Sequence, residues 1–129
     1  MKLLLDTQVW LWMTEAPDRL SPAVRRLVSR PDRQCFLSAV SAWEIAIKYR
    51  TGKLRLPSIP AVVIPQWMER ADVLPLPILH KHALHVATLP LHHRDPFDRL
   101  LIAQAQLEDL TILTANRDFE RYDVTVKRA

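Results

Sequence analysis

Five short runs of apolar character, each too short to make a helix worth the name, alternate along this chain with segments of helical pattern. The runs are Lys2 to Leu5, Gln34 to Leu37, Asp72 to Leu76, Leu110 to Thr114 and, the weakest, Val124 to Lys127. Strands separated by helices do not pair as hairpins. They are expected to line up side by side in a mostly parallel sheet with helices packed on its faces, an α/β sandwich. The intervening helices are read at Val9 to Met13, at Pro22 to Ser29 behind the cap Ser21, and from Ser38 or Ser41 to Gly52. Three more follow: Ile59 to Arg70, interrupted near Pro65; Lys81 to Thr88; and from Asp95-Pro96 to about Glu108. At 129 residues one ordinary hydrophobic core is feasible, and no linker divides the chain, so residues 1–129 are read as one domain.

Glycine is nearly absent. Gly52 stands alone against ten prolines. A phosphate-cradling loop of the Walker or Rossmann type needs several glycines, so any phosphate chemistry falls to side chains and metal. The formal charge of +4 favours a polyanionic partner. Basic residues bunch at Arg25, Arg26, Arg30 and Arg33 and again at Lys48, Arg50, Lys53 and Arg55, where solvated helix faces explain them as well as a binding surface does. No apolar run approaches the roughly 20 residues that span a bilayer. The leucine run after Met1 is broken by an acid too early for a signal peptide. The single cysteine, Cys35, sits among apolar neighbours and fits a buried thiol in a reducing cytoplasm.

In a parallel sheet, ligands bind beyond the carboxyl ends of the strands. Asp6 ends the first run, Ser38 follows the second and leads into the helix carrying Glu44, and Ala115 to Asp118 follow the fourth. The acids therefore gather at one edge. A carboxylate placed directly after Leu3-Leu4-Leu5 is costly near a core unless something partners it, and Asp6 serves equally as cap for the next helix. Glu44 completes a capping box if Ser41 starts its helix. If Ser38 starts it, the preferred reading because Ser38 stands directly after the strand, Glu44 lies in the second turn with no amide to cap. Asp95 with Pro96 makes a strong helix start, leaving Asp98 one turn in, toward the sheet edge. Asn116 and Asp118 are also ordinary turn formers. His80, His82, His85, His92 and His93 lack the cysteines or the His-Glu-x-x-His helix of a zinc site and suit an exposed loop.

Two carboxylates about 4 Å apart repel by roughly 4 kcal/mol at an effective dielectric of 20. Three together call for a proton or a divalent ion. Oxygen ligands without thiolate favour Mg²⁺ or Mn²⁺, whose bound water supplies a nucleophile for phosphodiester hydrolysis. A haloacid-dehalogenase-type phosphatase also begins with strand and aspartate, but it wants a second aspartate where Gln8 stands.

Four segments together resemble the PIN-domain ribonucleases, in particular the VapC-type toxins of VapBC toxin–antitoxin pairs. They are Leu4-Leu5-Asp6-Thr7-Gln8-Val9-Trp10-Leu11-Trp12, the stretch from Ser38 through Trp43-Glu44 to Lys48, His93-Arg-Asp-Pro-Phe-Asp98 through Ala105, and Leu113-Thr114-Ala-Asn-Arg-Asp118-Phe119. The resemblance implies a three-layer α/β/α sandwich around a five-stranded parallel sheet. It also implies metal-dependent RNA cleavage, a homodimer, and inhibition by a cognate VapB-type antitoxin. By position, Asp6, Glu44 and Asp98 are the catalytic and metal-binding acids, with Mg²⁺ or Mn²⁺ as cofactor. The family's fourth acid falls at Asn116, with Asp118 two residues on as a substitute ligand. Thr7, Asp95, Thr114 and Asn116 are accessory members. The rival within the family is a PIN-like module that has lost catalysis and only binds a partner. Trp10 and Trp12, two apart on a short helix, are not expected to share one core. With Trp43 and Ala61 to Ile64 they are read as an apolar surface for the antitoxin, or for a second copy of the chain.

Overall fold

A computed structural model describes residues 1–129. Its sheet has five strands, β1 (Lys2–Leu5), β2 (Gln34–Ser38), β3 (Val73–Leu76), β4 (Thr111–Thr114) and β5 (Val126–Arg128). All pairings are parallel and the spatial order is β3-β2-β1-β4-β5. The helices are α1 (Thr7–Glu15), α2 (Pro22–Val28), α3 (Ala39–Arg50), α4 (Pro60–Ala71), α5 (His80–His85) and α6 (Pro96–Glu108). The expected three-layer sandwich is what forms.

Alternation along β1 divides the core. Leu3 and Leu5 enter a cluster with Val9 and Trp10 of α1, Val24 of α2, and Val63 and Ile64 of α4. Leu4, between them, enters the opposite cluster with Leu101, Ile102 and Ala105 of α6. All three leucines are fully buried, as a strand covered on both faces requires. Pro75 is tolerated in β3 because β3 is an edge strand, whose outer side needs no amide.

Several boundaries differ from the sequence expectation for identifiable reasons. Asp6 caps α1, so that helix opens at Thr7 rather than Val9 and runs on to Glu15. Asp72 and Asp109, with φ of 54° and 55°, are left-handed helix caps, which delays β3 to Val73 and β4 to Thr111. Thr51 caps α3 and Gly52 follows it with φ 77°. Pro65 does not interrupt α4: it removes one hydrogen bond, to the Ala61 carbonyl on the exposed side, while Val63 and Ile64 anchor the helix from the core. α5 ends at His85 and continues only as a 3₁₀ turn, Val86–Thr88.

The tryptophans also depart from expectation. Trp10 is fully buried, and Trp12 packs against the same cluster with the Arg19 guanidinium 4.8 Å above its ring. The short segment after α1 folds back and covers Trp12, which helix periodicity does not register. Of the residues proposed as a docking surface, Trp43 is 57% exposed, whereas Val63 and Ile64 are core. The histidines are not all in an exposed loop either. His82 is buried in α5, accepting from the Leu79 N–H at 2.9 Å and facing Glu108 Oε1 at 2.8 Å.

Candidate active site

The chain steps from β1 outward through β2 to β3, then returns to place β4 on the other side of β1. That reversal opens a crevice beyond the carboxyl ends of β1 and β4. A cleft of about 350 Å³ lies there, lined by Asp6, Thr7, Glu44, Lys48, Asp95, Asp98 and Asn116 among others.

Asp6 stands one residue past β1 with its N–H on the Leu113 carbonyl of β4, 3.1 Å. Its Oδ1 accepts from the Val9 N–H at 2.7 Å as the cap of α1, and its Oδ2 accepts from the Thr114 hydroxyl. The residue is 7% exposed. Burial raises its pKa above the usual aspartate value and the charge of Glu44 adds to that, while the bonds from Thr114 and Val9 pull it back. Cap and cleft roles coexist in one side chain.

Ser38 caps α3 by accepting from the Val40 N–H at 3.1 Å, so Glu44 owes nothing to a capping box. Glu44 points into the cleft instead. Thr7 donates to its Oε1 at 2.7 Å, and Lys48, one turn on, donates to Oε2 at 2.6 Å. Thr7 also sits 3.0 Å from Ser41, the residue that would otherwise have paired with Glu44. Behind α3, Ser38 Oγ donates to Gln104 of α6 at 2.5 Å, tying together the two helices that carry Glu44 and Asp98.

Asp95 caps α6, its Oδ1 accepting from the N–H groups of Phe97 at 2.8 Å and Asp98 at 3.1 Å. Asp98 then projects from the first turn with 20% of its side chain exposed. Burial pushes its carboxyl up to about 6; the His93 hydrogen bond opposes this and the Asp95 charge reinforces it. His93 Nε2 lies 2.7 Å from Asp98 Oδ2, and Nδ1 lies 3.4 Å from Asp118 Oδ2.

Asp6, Thr7, Glu44, Asp95, Asp98 and Asn116 thus converge on one cleft, with Thr114 directly behind Asp6. Asp118 does not line it. It lies on the far side of His93, 44% exposed, its N–H held by Asn116 Oδ1 at 3.0 Å. Sequence reasoning missed two participants. Lys48 was readable, since a lysine four residues after a glutamate on a helix sits beside it. His93 was not, because it precedes α6 in a loop where no periodicity applies.

The donor set suits a hard divalent cation. A buried carboxyl (Asp6) and a half-buried one (Asp98), both lifted above their ordinary range, with Glu44 as a third in the same cleft, are the condition a dication offsets. The oxygens, with no thiolate among them, match Mg²⁺ or Mn²⁺.

Residues 3–124 match the PIN domain family model, and the chain belongs to the PIN-domain family. This sets aside the haloacid-dehalogenase-type alternative. A curated relative, ribonuclease VapC16 of Mycobacterium tuberculosis, is 44% identical over 61 residues, covering 47% of this chain and 43% of that protein. The match therefore spans less than half the relative's length. Among solved structures, the fold resembles VapBC2 of Rickettsia felis bound to a DNA fragment from its promoter (TM-score 0.74, 16% identity, 99% of this chain and 98% of that one). It also resembles DNA-bound VapBC of Salmonella typhimurium (TM-score 0.71, 20% identity, 99% and 98%). VapBC-5 of Mycobacterium tuberculosis, a toxin–antitoxin system member, superposes with TM-score 0.65 at 24% identity over 99% and 98% of the chains. At these identities the structures establish the shared fold.

Proposed function

We propose that this chain is a metal-dependent endoribonuclease, the toxin of a type II toxin–antitoxin pair, acting in the cytoplasm as a single PIN domain over residues 1–129. The observation that carries the reading is the convergence of Asp6, Glu44 and Asp98, from three separate segments, on one cleft at the strand-order reversal. These three would hold a Mg²⁺ or Mn²⁺ ion. When bound, the ion offsets charge developing on the phosphoryl oxygens and supplies an activated water for attack.

The chain's own groups do the rest. Thr114 and the Val9 N–H hold both oxygens of Asp6, so its carboxylate cannot rotate out of the cleft. Thr7 fixes Glu44 from the side of α1, and Lys48 sets a positive charge at the cleft where an RNA phosphate would arrive. Asn116 takes the place of the family's fourth acid and donates its N–H to Thr114 at 3.0 Å, bracing the group that braces Asp6. The VapC16 match supports the nuclease activity, and the VapBC neighbours support a VapB-type antitoxin as partner.

The test is cleavage of total cellular RNA by the purified protein with Mg²⁺, with EDTA, and with Asp98→Asn as control. Cleavage that EDTA and Asp98→Asn both abolish is the expected result. Intact RNA in every lane would favour the silent binding module, and cleavage that survives EDTA would remove the metal from the mechanism.

A further inference from the structure

At the Asp98 end of the cleft, ligand atoms of His93, Asp95 and Asp98 all lie within 4.8 Å of one another, and no other three histidine, cysteine or acidic residues of the chain do so. The set is not purely acidic, and its imidazole is held in place. The His93 N–H donates to the Tyr122 hydroxyl at 2.9 Å, and its carbonyl lies 3.4 Å from Nη1 of the buried Arg99. With the backbone fixed, the ring sits between two carboxylates, Nε2 toward Asp98 and Nδ1 toward Asp118. Asp95 uses Oδ1 for capping, which leaves Oδ2 free.

A histidine that presents one nitrogen to a ligand cluster while its other nitrogen faces a carboxylate has the arrangement that orients metal-bound imidazoles. The outer carboxylate, 3.4 Å away in this structure, would close to hydrogen-bond distance to take the N–H and thereby fix which nitrogen offers its lone pair. Ligands about 2.1 Å from an ion and at right angles to each other stand about 3 Å apart. The His93–Asp98 pair, at 2.7 Å, needs to open by only a few tenths of an ångström to admit an ion between them. Mg²⁺ prefers oxygen and sheds water reluctantly, whereas first-row transition dications accept imidazole nitrogen.

We propose that His93, oriented by Asp118, is a nitrogen ligand in a mixed site with Asp95 and Asp98 that selects a transition-metal dication over Mg²⁺. This rests on the reading that the cleft binds a divalent cation, and it gives Asp118 an outer, orienting place rather than a ligand's. The plainer account is that His93 is only a hydrogen-bond partner of Asp98.

Mn²⁺ separates the two. The protein is loaded with Mn²⁺ and directly bound ¹⁴N is sought by electron spin echo modulation; Mn²⁺ and Mg²⁺ affinities are then measured for wild type, His93→Gln and Asp118→Asn. Wild type is expected to show bound nitrogen. In His93→Gln that signal disappears and Mn²⁺ affinity falls by about tenfold, with Mg²⁺ affinity moving much less. Asp118→Asn keeps the signal but weakens Mn²⁺ binding by about tenfold. Mn²⁺ bound to wild type without a nitrogen signal overturns the proposal, as does a Mn²⁺/Mg²⁺ preference that His93→Gln leaves unchanged. The wild-type spectrum decides even if a variant fails to fold. A wild-type protein that binds neither ion sinks the metal-dependent reading itself, a separate failure.

Discussion

Asp98→Asn changes charge with almost no change of shape, and its effect on the metal-free protein follows from where the carboxyl sits. Burial moves that group from 3.8 to about 6. At about 1.4 kcal/mol for each tenfold, holding the carboxylate ionised in the folded state costs about 3 kcal/mol relative to the unfolded chain. Because the folded value lies above the unfolded one, the group's contribution to stability is complete below about pH 4. It is lost as pH rises through about 6. Asparagine is neutral throughout and escapes that loss, and the value of about 6 already includes the opposing hydrogen bond from His93. The net gain at pH 7.5 is therefore about 3 kcal/mol, roughly 10 °C in Tm for a domain of this size. Thermal melts in EDTA at pH 4 and pH 7.5 read it directly: the variant melts above wild type at pH 7.5, and the gap closes at pH 4. Adding Mg²⁺ at about 1,000 times its Kd reverses the order, since wild type gains about 4.1 kcal/mol of linkage that the variant largely lacks. A variant that melts below wild type at pH 7.5 in EDTA would refute the reasoning, because it would make ionised Asp98 a stabilising structural group.

Asp6→Asn and Glu44→Gln are each expected to lose RNA cleavage while keeping the far-ultraviolet circular dichroism of wild type; retained cleavage by either would remove that acid from the site. Lys48→Met should tighten Mg²⁺ binding measured by titration calorimetry, because the ammonium 2.6 Å from Glu44 no longer competes for it; unchanged or weaker binding would contradict that competition. Arg99→Met should cost about 3 kcal/mol in urea unfolding, since Arg99 donates to the carbonyls of Pro90 at 2.8 Å and Val86 at 3.2 Å and its removal strands them. A loss under about 1 kcal/mol would show that the loop before α6 is held by other contacts.

The layer architecture was legible because Leu3, Leu4 and Leu5 in succession admit only a strand buried on both faces, and because Ser21, Asp95 and Pro96 mark helix starts by local chemistry alone. That the three acids would share one cleft was legible for related reasons: Asp6 follows β1, Glu44 lies on the helix that leaves β2, and Asp98 sits one turn into the helix that Asp95 and Pro96 open. What failed depended on tertiary contacts. The burial of Trp12 needed the turn at Pro17–Arg19, which nothing in α1 announces. The displacement of Asp118 from the cleft came from the 3₁₀ turn Arg117–Arg121, capped by Asn116, which carries residue 118 past the cleft and onto His93. Spacing from β4 could not distinguish those two destinations.

The same turn explains why an asparagine at position 116 need not disable the site. An aspartate there would add another charge to a cleft in which burial already resists ionisation of Asp6 and Asp98. Asn116 is bonded instead as a neutral brace: its N–H goes to Thr114 Oγ1, whose hydroxyl proton goes to Asp6, and its Oδ1 receives the Asp118 N–H. One residue thus couples the orientation of Asp6 at one end of the cleft to the position of Asp118 behind His93 at the other. With position 116 neutral, the nearest negative charge on that turn is Asp118, 3.4 Å from His93 Nδ1 and outside the cleft, where it does not add to the repulsion among the inner acids. The substitution at 116 and the outward place of Asp118 are therefore one structural feature.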